Sequence, residues 1–445
     1  MGGRRALAFL SALTVAAGVF VPATAYGESD HHEREGFEKI GYFTQWGIYG
    51  RGFLPKNLVT NGQARRLTIL NYAFGNVGSD GKCFEANIPG QGDAWADFQR
   101  PFSAAESVNG QADADGQALA GNFNQIRKLK KMNPGLKAQI SLGGWTWSKY
   151  FSDAALTDAS RRAFVASCVD LFIKGNLPKL AGDTHGGDGA AAGVFDGIDI
   201  DWEWPGSPGN DGNVVRAVDK QNFSLMLAEF RRQLDALGRR NHRHYTLTAF
   251  LGADPKIMDA GYEVPKVFRS LDLATVQGYD MHGPWEAVTN HNSALFTPAG
   301  EPQQPDFTVS RAIDALVARG APRSKLVMGV PFYGHGWTGV PPANFGLFQT
   351  STGPAAGTFE AGTEDYRKLV TLTGSGYKLY RDDKAVHAWL YNGSTFWTID
   401  DPAIVSQKMR YIRRSGLGGA MVWSLDGDDD NGTLFRTIDR GLRDD

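Results

Sequence analysis

Three carboxylates alternate with bulky apolar residues in the segment Asp196-Gly197-Ile198-Asp199-Ile200-Asp201-Trp202-Glu203-Trp204. In an extended strand alternate side chains share a face, so Asp199, Asp201 and Glu203 point one way while Ile198, Ile200 and Trp202 point the other. Neighbours two apart are roughly 6.6 Å apart along a strand, where two ionised carboxylates repel by about 2–3 kcal/mol at an effective dielectric near 20. A strand with a purely structural task has little reason to accept that repulsion. It favours keeping at least one proton in the group, which supplies a protonated acid near neutral pH. A solvated acidic strand would not carry apolar residues at the intervening positions, and calcium is usually held by flexible turns with carbonyl oxygens. The segment therefore reads as a catalytic carboxylate row. Asp196 has the opposite parity, so it orders the strand and stays outside the chemical group.

Such a row needs a strand that opens into a cleft. Eight β-branched or aromatic runs, at residues 40–45, 67–74, 137–142, 194–202, 245–250, 273–279, 326–332 and 419–423, alternate with amphipathic segments. Between the fourth and fifth, Phe223, Leu227, Phe230, Leu234 and Leu237 recur at three- or four-residue spacing, which predicts a helix with one apolar face. Similar helices are expected around residues 164–172, 309–317 and 404–412, the last opened by the start signal Asp400-Asp401-Pro402. Eight βα units predict an α/β fold, a closed (β/α)8 TIM barrel, with its chemistry at the C-terminal strand ends. Two connections exceed the barrel minimum, residues 75–119 and 338–392. The second carries Tyr366, Tyr377, Tyr380, Trp389 and Tyr391, too many large side chains for a floppy linker, and is expected to be a small α+β insertion between strands seven and eight.

A chain of 445 residues, 42% hydrophobic, is long enough for such a barrel with an insertion. Arg4 and Arg5, the apolar residues 6–21 and the Ala23-Thr24-Ala25 pattern read as a secretory leader over residues 1–25, cut after Ala25. The run is shorter than the ~20 residues needed to cross a bilayer and contains Gly18, so a membrane anchor is the weaker reading. Residues 26–36 form a polar arm and residues 37–445 the barrel, interrupted by 338–392. With 46 basic against 48 acidic residues and no large basic block, neither nucleic acid nor a membrane is expected as a partner, and the exported chain is expected to act as a monomer. Cys83 and Cys168 form one disulfide or are two small buried side chains; the sequence leaves both open. No Cys/His pattern suggests a zinc site, and neither metal nor cofactor is expected.

The segment Asp196-x-x-Asp199-x-Asp201-x-Glu203 resembles the signature of family 18 glycoside hydrolases, chitinases of the chitinase A-like bacterial branch. Supporting motifs span most of the chain. They are residues 41–47 (Gly-Tyr-Phe-Thr-Gln-Trp-Gly), Asn71-Tyr72-Ala73-Phe74, Ser141-Leu142-Gly143-Gly144-Trp145, Gly278-Tyr279-Asp280, Pro331-Phe332-Tyr333-Gly334 and Gly419-Ala420-Met421-Val422-Trp423. The insertion before the last strand resembles the chitin insertion domain of that branch. The resemblance implies hydrolysis of β-1,4-N-acetylglucosamine linkages in chitin and chitooligosaccharides by a substrate-assisted retaining route, an exception to the usual two-carboxylate scheme. It implies that Glu203 is the acid, that Asp201 holds the acetamido N–H with Asp199 sharing its charge, and that Tyr279 donates to the acetamido oxygen with Asp280 beside it.

Trp423 is expected to floor the subsite of the reacting sugar, because an indole offers a flat apolar surface to a pyranose face. Trp46, Trp145 and Trp285 are expected as further platforms. Tyr42, Phe74, Thr146 and Trp204 complete the expected sugar contacts, together with Gln277 and Gly278, while Gly143 and Gly144 would allow close backbone approach to sugar. Gln277 stands where the related motif usually has methionine, and His335 where arginine is common. The first can hydrogen-bond and the second can titrate, so both bear on subsite preference and pH profile. A lectin on the same fold would lack the acid that Glu203 provides, and an endo-β-N-acetylglucosaminidase acting on N-glycans would not be expected to carry the insertion.

Overall fold

The computed structural model describes residues 36–302 and 307–443. The expected leader and all but the last residue of the polar arm lie outside the described residues. Eight parallel strands close into a barrel: β1 (Glu38–Thr44), β2 (Ile69–Val77), β3 (Lys137–Gly143), β4 (Gly197–Asp201), β5 (Thr246–Leu251), β6 (Leu273–Val276), β7 (Leu326–Pro331) and β8 (Gly419–Trp423). Closure is made by β1, which pairs with β2 through Ile40↔Ile69 and with β8 through Glu38↔Gly419. Each strand is one of the eight runs read from the sequence. Inward residues such as Ile40, Ile69, Leu273, Val327 and Met421 pack together inside the barrel, whereas Phe43, Leu70, Ile140, Ile198 and Ile200 pack beneath the helices. Burial on both faces is why these strands read as apolar runs.

The helices that cover the barrel follow the periodicity. They include α1 (Gly121–Met132), α2 (Asp158–Cys168), α3 (Asp219–Asn241), α4 (Val309–Ala318) and α5 (Pro402–Ser415). In α3 the stripe Phe223, Leu227, Phe230, Leu234 and Leu237 is buried. The Asp401 carboxylate accepts the N–H groups of Ala403 and Ile404 at 3.1 and 3.0 Å, and Pro402 stands at the first helical position, so the start signal acts as read.

In the long connection after β2, the short strand Cys83–Phe84 pairs antiparallel with the end of β2. Cys83 is bonded to Cys168 at the end of α2, with Cα atoms 5.0 Å apart, which settles the alternative the sequence left open. The link spans 85 residues, and closing a loop of that length in the unfolded chain is worth at most about 4–5 kcal/mol. Cys83→Ser is expected to lower the thermal midpoint while leaving kcat/KM at 25 °C nearly unchanged, since neither cysteine lines the cleft described below. Thermal scans with and without reductant check this; a midpoint indifferent to both would contradict it.

Between β7 and β8 lies a second, antiparallel sheet with the strand order Tyr333–Thr338, Phe396–Ile399, His387–Tyr391 and Lys378–Asp382, extended by the short pieces Gly353–Pro354 and Thr363–Asp365. It reaches beyond residues 338–392 on both sides. The reason is that the chain enters it directly from β7: Phe332 donates its N–H to the Trp423 carbonyl, and Tyr333 already pairs with Asp365. Trp337, Trp389, Tyr391 and Phe396 form its own core, on which Tyr380 stacks through Trp389. Among the described residues no helix is long and apolar enough to cross a membrane.

Candidate active site

The alternation in β4 places the carboxylates as its parity requires. Asp199 is fully buried and accepts hydrogen bonds from Tyr42 Oη on β1 (2.8 Å), Ser141 Oγ on β3 (2.7 Å) and Thr248 Oγ1 on β5 (2.5 Å). Burial raises its pKa, and those three donors oppose the rise. Asp201 is also buried, and its Oδ1 has no hydrogen-bond partner. Burial, then the charges of Glu203 and Asp199, hold its carboxyl well above the usual range. Glu203 lies just past the strand and is partly exposed, its N–H donating to Ser148 Oγ at 2.8 Å and its carbonyl accepting from Asn213 Nδ2 at 2.9 Å. Burial, then the charge of Asp280, pushes its pKa up to about 8. On the opposite face Trp202 stacks on Phe151 with ring centroids 5.5 Å apart. Asp196 accepts from the Ala138 N–H at 3.0 Å and pairs with Lys130 at 2.6 Å and Arg243 at 3.0 Å, which ties β4 to β3 and α1.

Two further side chains complete the polar group. The Tyr279 hydroxyl has the Met421 sulfur at 3.9 Å as its neighbour, a weak acceptor that leaves the proton available to a better one. Burial and then Asp201 raise its pKa, so it stays a neutral donor. Asp280 has φ of +57°, and its Oδ1 accepts from Tyr333 Oη and faces His335 Nε2 at 2.8 Å. Tyr333 and His335 both come from the first strand of the second sheet.

These groups line a cleft of two adjoining cavities. The first, about 450 Å³, is bounded by Tyr42, Phe74, Gly143, Thr146, Asp201 and Tyr279; the second, about 860 Å³, by Trp204, Trp285, Tyr333 and His335. Trp46, Trp145, Glu203, Gln277, Asp280 and Trp423 border both. Glu203 therefore stands where the two spaces meet. Trp423 is stacked on Phe74 at 5.7 Å and lies edge-on to Tyr42 at 5.3 Å, which fixes the indole at that junction. Trp46, Trp145 and Trp285 are 42%, 51% and 62% exposed, too open for ordinary core packing.

Other expected contacts also have partners within the protein. Trp204 is buried against Phe250 at 5.7 Å and forms wall instead of rim. A Cβ on Gly143 would come within 2.4 Å of the Asp201 carbonyl oxygen, and one on Gly144, at φ +71°, within 2.5 Å of the Phe74 ring. The protein's own packing thus requires glycine at both positions, and Gly143 also lines the first cavity. Gly278 is pressed likewise on the Gly329 carbonyl. Gln277 Oε1 accepts the Ala253 N–H at 3.1 Å while its side chain still borders the cleft. Sequence reasoning missed Gln45, Gly90, Trp147 and Phe250, which also line the first cavity. Tyr333 was visible only as part of a strand motif, and Gly90 sits in a long connection with no periodic signal.

Among the described residues, His282, His291 and Glu301 bring their ligand atoms within 4.8 Å of one another, all buried and away from the cleft lining. The Ala294 N–H donates to His291 Nδ1 at 3.2 Å, which puts the ring proton on Nε2, the nitrogen that faces Glu301 at 3.5 Å. A nitrogen carrying its proton offers no lone pair to a cation, so this trio is better described as a buried His291–Glu301 contact beside His282 than as a metal cage.

The family model of glycosyl hydrolases family 18 matches residues 38–428. Over most of its length the chain is 36% identical to chitinase A1 of Niallia circulans, covering 94% of this chain and 60% of that protein, and 39% identical to chitinase 63 of Streptomyces plicatus, covering 91% and 60%. The chain thus spans about three fifths of the length of these curated relatives. Among solved structures it is similar to the catalytic domain of psychrophilic chitinase B from Arthrobacter TAD20, with a TM-score of 0.87, 46% identity and coverage of 91% of this chain and 95% of that one.

Proposed function

The chain belongs to glycosyl hydrolase family 18, and from that premise we propose that it is a secreted, endo-acting chitinase that hydrolyses β-1,4-N-acetylglucosamine linkages with retention, the substrate's own acetamido group acting as nucleophile. The observation that carries the proposal is the junction at Glu203. A carboxyl whose pKa is pushed up to about 8 holds its proton at neutral pH, and it stands where two cavities meet, beside a buried carboxylate with an unpartnered oxygen. A glycosidic oxygen placed at the junction receives the proton of Glu203 as its bond to the anomeric carbon breaks, while the acetamido carbonyl oxygen closes on that carbon to give an oxazolinium ion. Asp201 accepts the acetamido N–H and offsets the cation, and the Tyr279 hydroxyl donates to the acetamido oxygen. Glu203, now ionised, takes a proton from water as water opens the ring from the same face. Catalysis of this kind rests on placement and on charges fixed before the bond breaks. The exposed indoles Trp46, Trp145 and Trp285 extend the sugar path either side of Trp423, as a polymer substrate needs.

The stereochemistry tests it. The first-formed product from a chitin oligomer is expected to be the β-anomer, seen by NMR before mutarotation, and a thiazoline mimic of the oxazolinium ion is expected to inhibit. An initial α-anomer excludes the route. Export is a separate part of the proposal, and a secreted protein whose mature N-terminus is still Met1 would contradict it.

A further inference from the structure

We infer that His335 is a positioning residue that works as a cation: a doubly protonated ring, lent to the site by the second sheet, pins Asp280 beside Glu203 and makes cleavage depend on the protonation of His335. The inference rests on the proposed chitinase activity for its kinetic part and on geometry alone for its structural part. His335 is 4% exposed, and both of its ring nitrogens face acceptors: Nε2 lies 2.8 Å from Asp280 Oδ1 and Nδ1 3.2 Å from the Gly362 carbonyl oxygen. A neutral imidazole has one N–H, so it would set a bare lone pair against one of these oxygens. The imidazolium donates to both. Trp285 and Tyr333 stand edge-on to the ring at 5.1 and 5.4 Å, and the backbone N–H of His335 donates to Thr398 Oγ1 at 2.8 Å.

The groups around it leave Asp280 as its counter-ion. On its own strand Tyr333 donates to the same Asp280 oxygen. On the paired strand Thr363–Asp365, Glu364 is bonded to Thr358, and Asp365 is paired with Arg51 and Arg367. Arg51 is also held by Asp426. The other neighbouring strand, Phe396–Ile399, carries no ionisable side chain. Glu360 borders the same cavity, and Glu203 lies across Asp280. Asp280 is itself held in the left-handed region at φ +57°, with its N–H on Asn292 Oδ1 at 2.6 Å, so its carboxylate has a fixed direction. With His335 charged, the pair is neutral beside the acid. When His335 loses its proton, one donor to Asp280 disappears and a net negative charge is left next to Glu203, which then yields its proton less readily.

The test compares wild type with His335→Gln and His335→Arg on a soluble chitin oligomer from pH 5 to 9, with thermal scans to establish folding. The ratio of kcat/KM, wild type over His335→Gln, is expected to be about tenfold or more at low pH, the size of one charge at close range, and to shrink toward unity as pH rises. His335→Arg, permanently charged, is expected to flatten that dependence. A purely structural histidine gives a ratio that does not vary with pH, and this result overturns the inference. Nitrogen-15 NMR of the wild-type ring, without substrate, is expected to show both nitrogens protonated at pH 6; a single neutral tautomer there also overturns it, even if the variants fail to fold. Absence of any hydrolysis by wild type defeats the chitinase proposal, while the NMR result still decides the state of His335.

Discussion

Glu203→Gln is expected to lower turnover on chitin oligomers by at least about 10²–10⁴, the range general acid–base catalysis contributes, while oligosaccharide affinity changes little. The amide keeps the shape of the carboxyl and loses the transferable proton. Trp423, Trp145 and Tyr279, which border the same cleft, are untouched and meet the ground state before any proton moves. Stability is expected to move the other way. The folded-state pKa of Glu203 is raised to about 8 from an ordinary 4.5. The folded chain therefore holds this proton where the unfolded chain has released it, and the group's contribution to stability, full below pH 4.5, declines as pH rises to about 8. Above that pH the ionised group is a net cost. The amide removes the cost, so the variant's thermal midpoint at pH 8–9 should rise by about 1–3 °C, a modest shift because the chain is large and Glu203 is partly solvated. Hydrolysis, binding and thermal scans on one purified sample check all three. Near-normal hydrolysis defeats the assignment, and lost binding with an unchanged midpoint makes Glu203 a recognition residue instead.

The sequence carried the parts of this site that depend on strand periodicity. Asp199, Asp201 and Glu203 share a face because a strand has a repeat of two, and Ile198, Ile200 and Trp202 declare the other face by being apolar. Strand positions were legible for the same reason, since burial on both faces leaves little freedom of composition, although their ends were not: β2 runs on to Val77 and β6 stops at Val276. What periodicity does not encode is contact between distant segments. The partnership of Cys83 with Cys168 depends on the long loop after β2 folding back on α2, and no local pattern reports that. The close neighbours of Gly143 and Gly144, the Asp201 carbonyl and the Phe74 ring, are supplied by β4 and β2 and are likewise absent from any local pattern. His335 looked like a departure from a motif. Its meaning depends on two acceptors, Asp280 after β6 and Gly362 in the turn before the strand Thr363–Asp365, that come together only in the folded chain. The insertion's aromatic content foretold a packed unit, but its edges, set by pairing of Tyr333 with Asp365, could not be read from composition.

Asp201→Asn is expected to separate activity from stability more sharply than any change at the rim of the cleft. Asp201 is 4% exposed, its Oδ1 lacks a partner, and the charges of Glu203 and Asp199 bear on it from either side along β4. For folding, the ionised form of such a group is unfavourable, because a buried charge with an unpaired oxygen gives up hydration without full replacement. For the proposed reaction it is well placed, because an oxazolinium ion and its N–H would supply the missing partner and the missing positive charge at once. Removing one preorganised electrostatic partner of a developing charge commonly costs about 10²–10³ in turnover, and a loss of that order is expected here. The pKa of Asp201 is raised in the folded state, so ionisation destabilises increasingly as pH climbs above the ordinary carboxylate range, and the neutral amide escapes this. The variant's thermal midpoint should therefore equal or exceed that of wild type at neutral pH, by a margin that widens as pH rises. Measuring kcat and the midpoint across the same pH series decides the matter. Parallel losses in both would assign Asp201 to the framework of the barrel, and turnover within a few-fold of wild type would remove it from the chemistry.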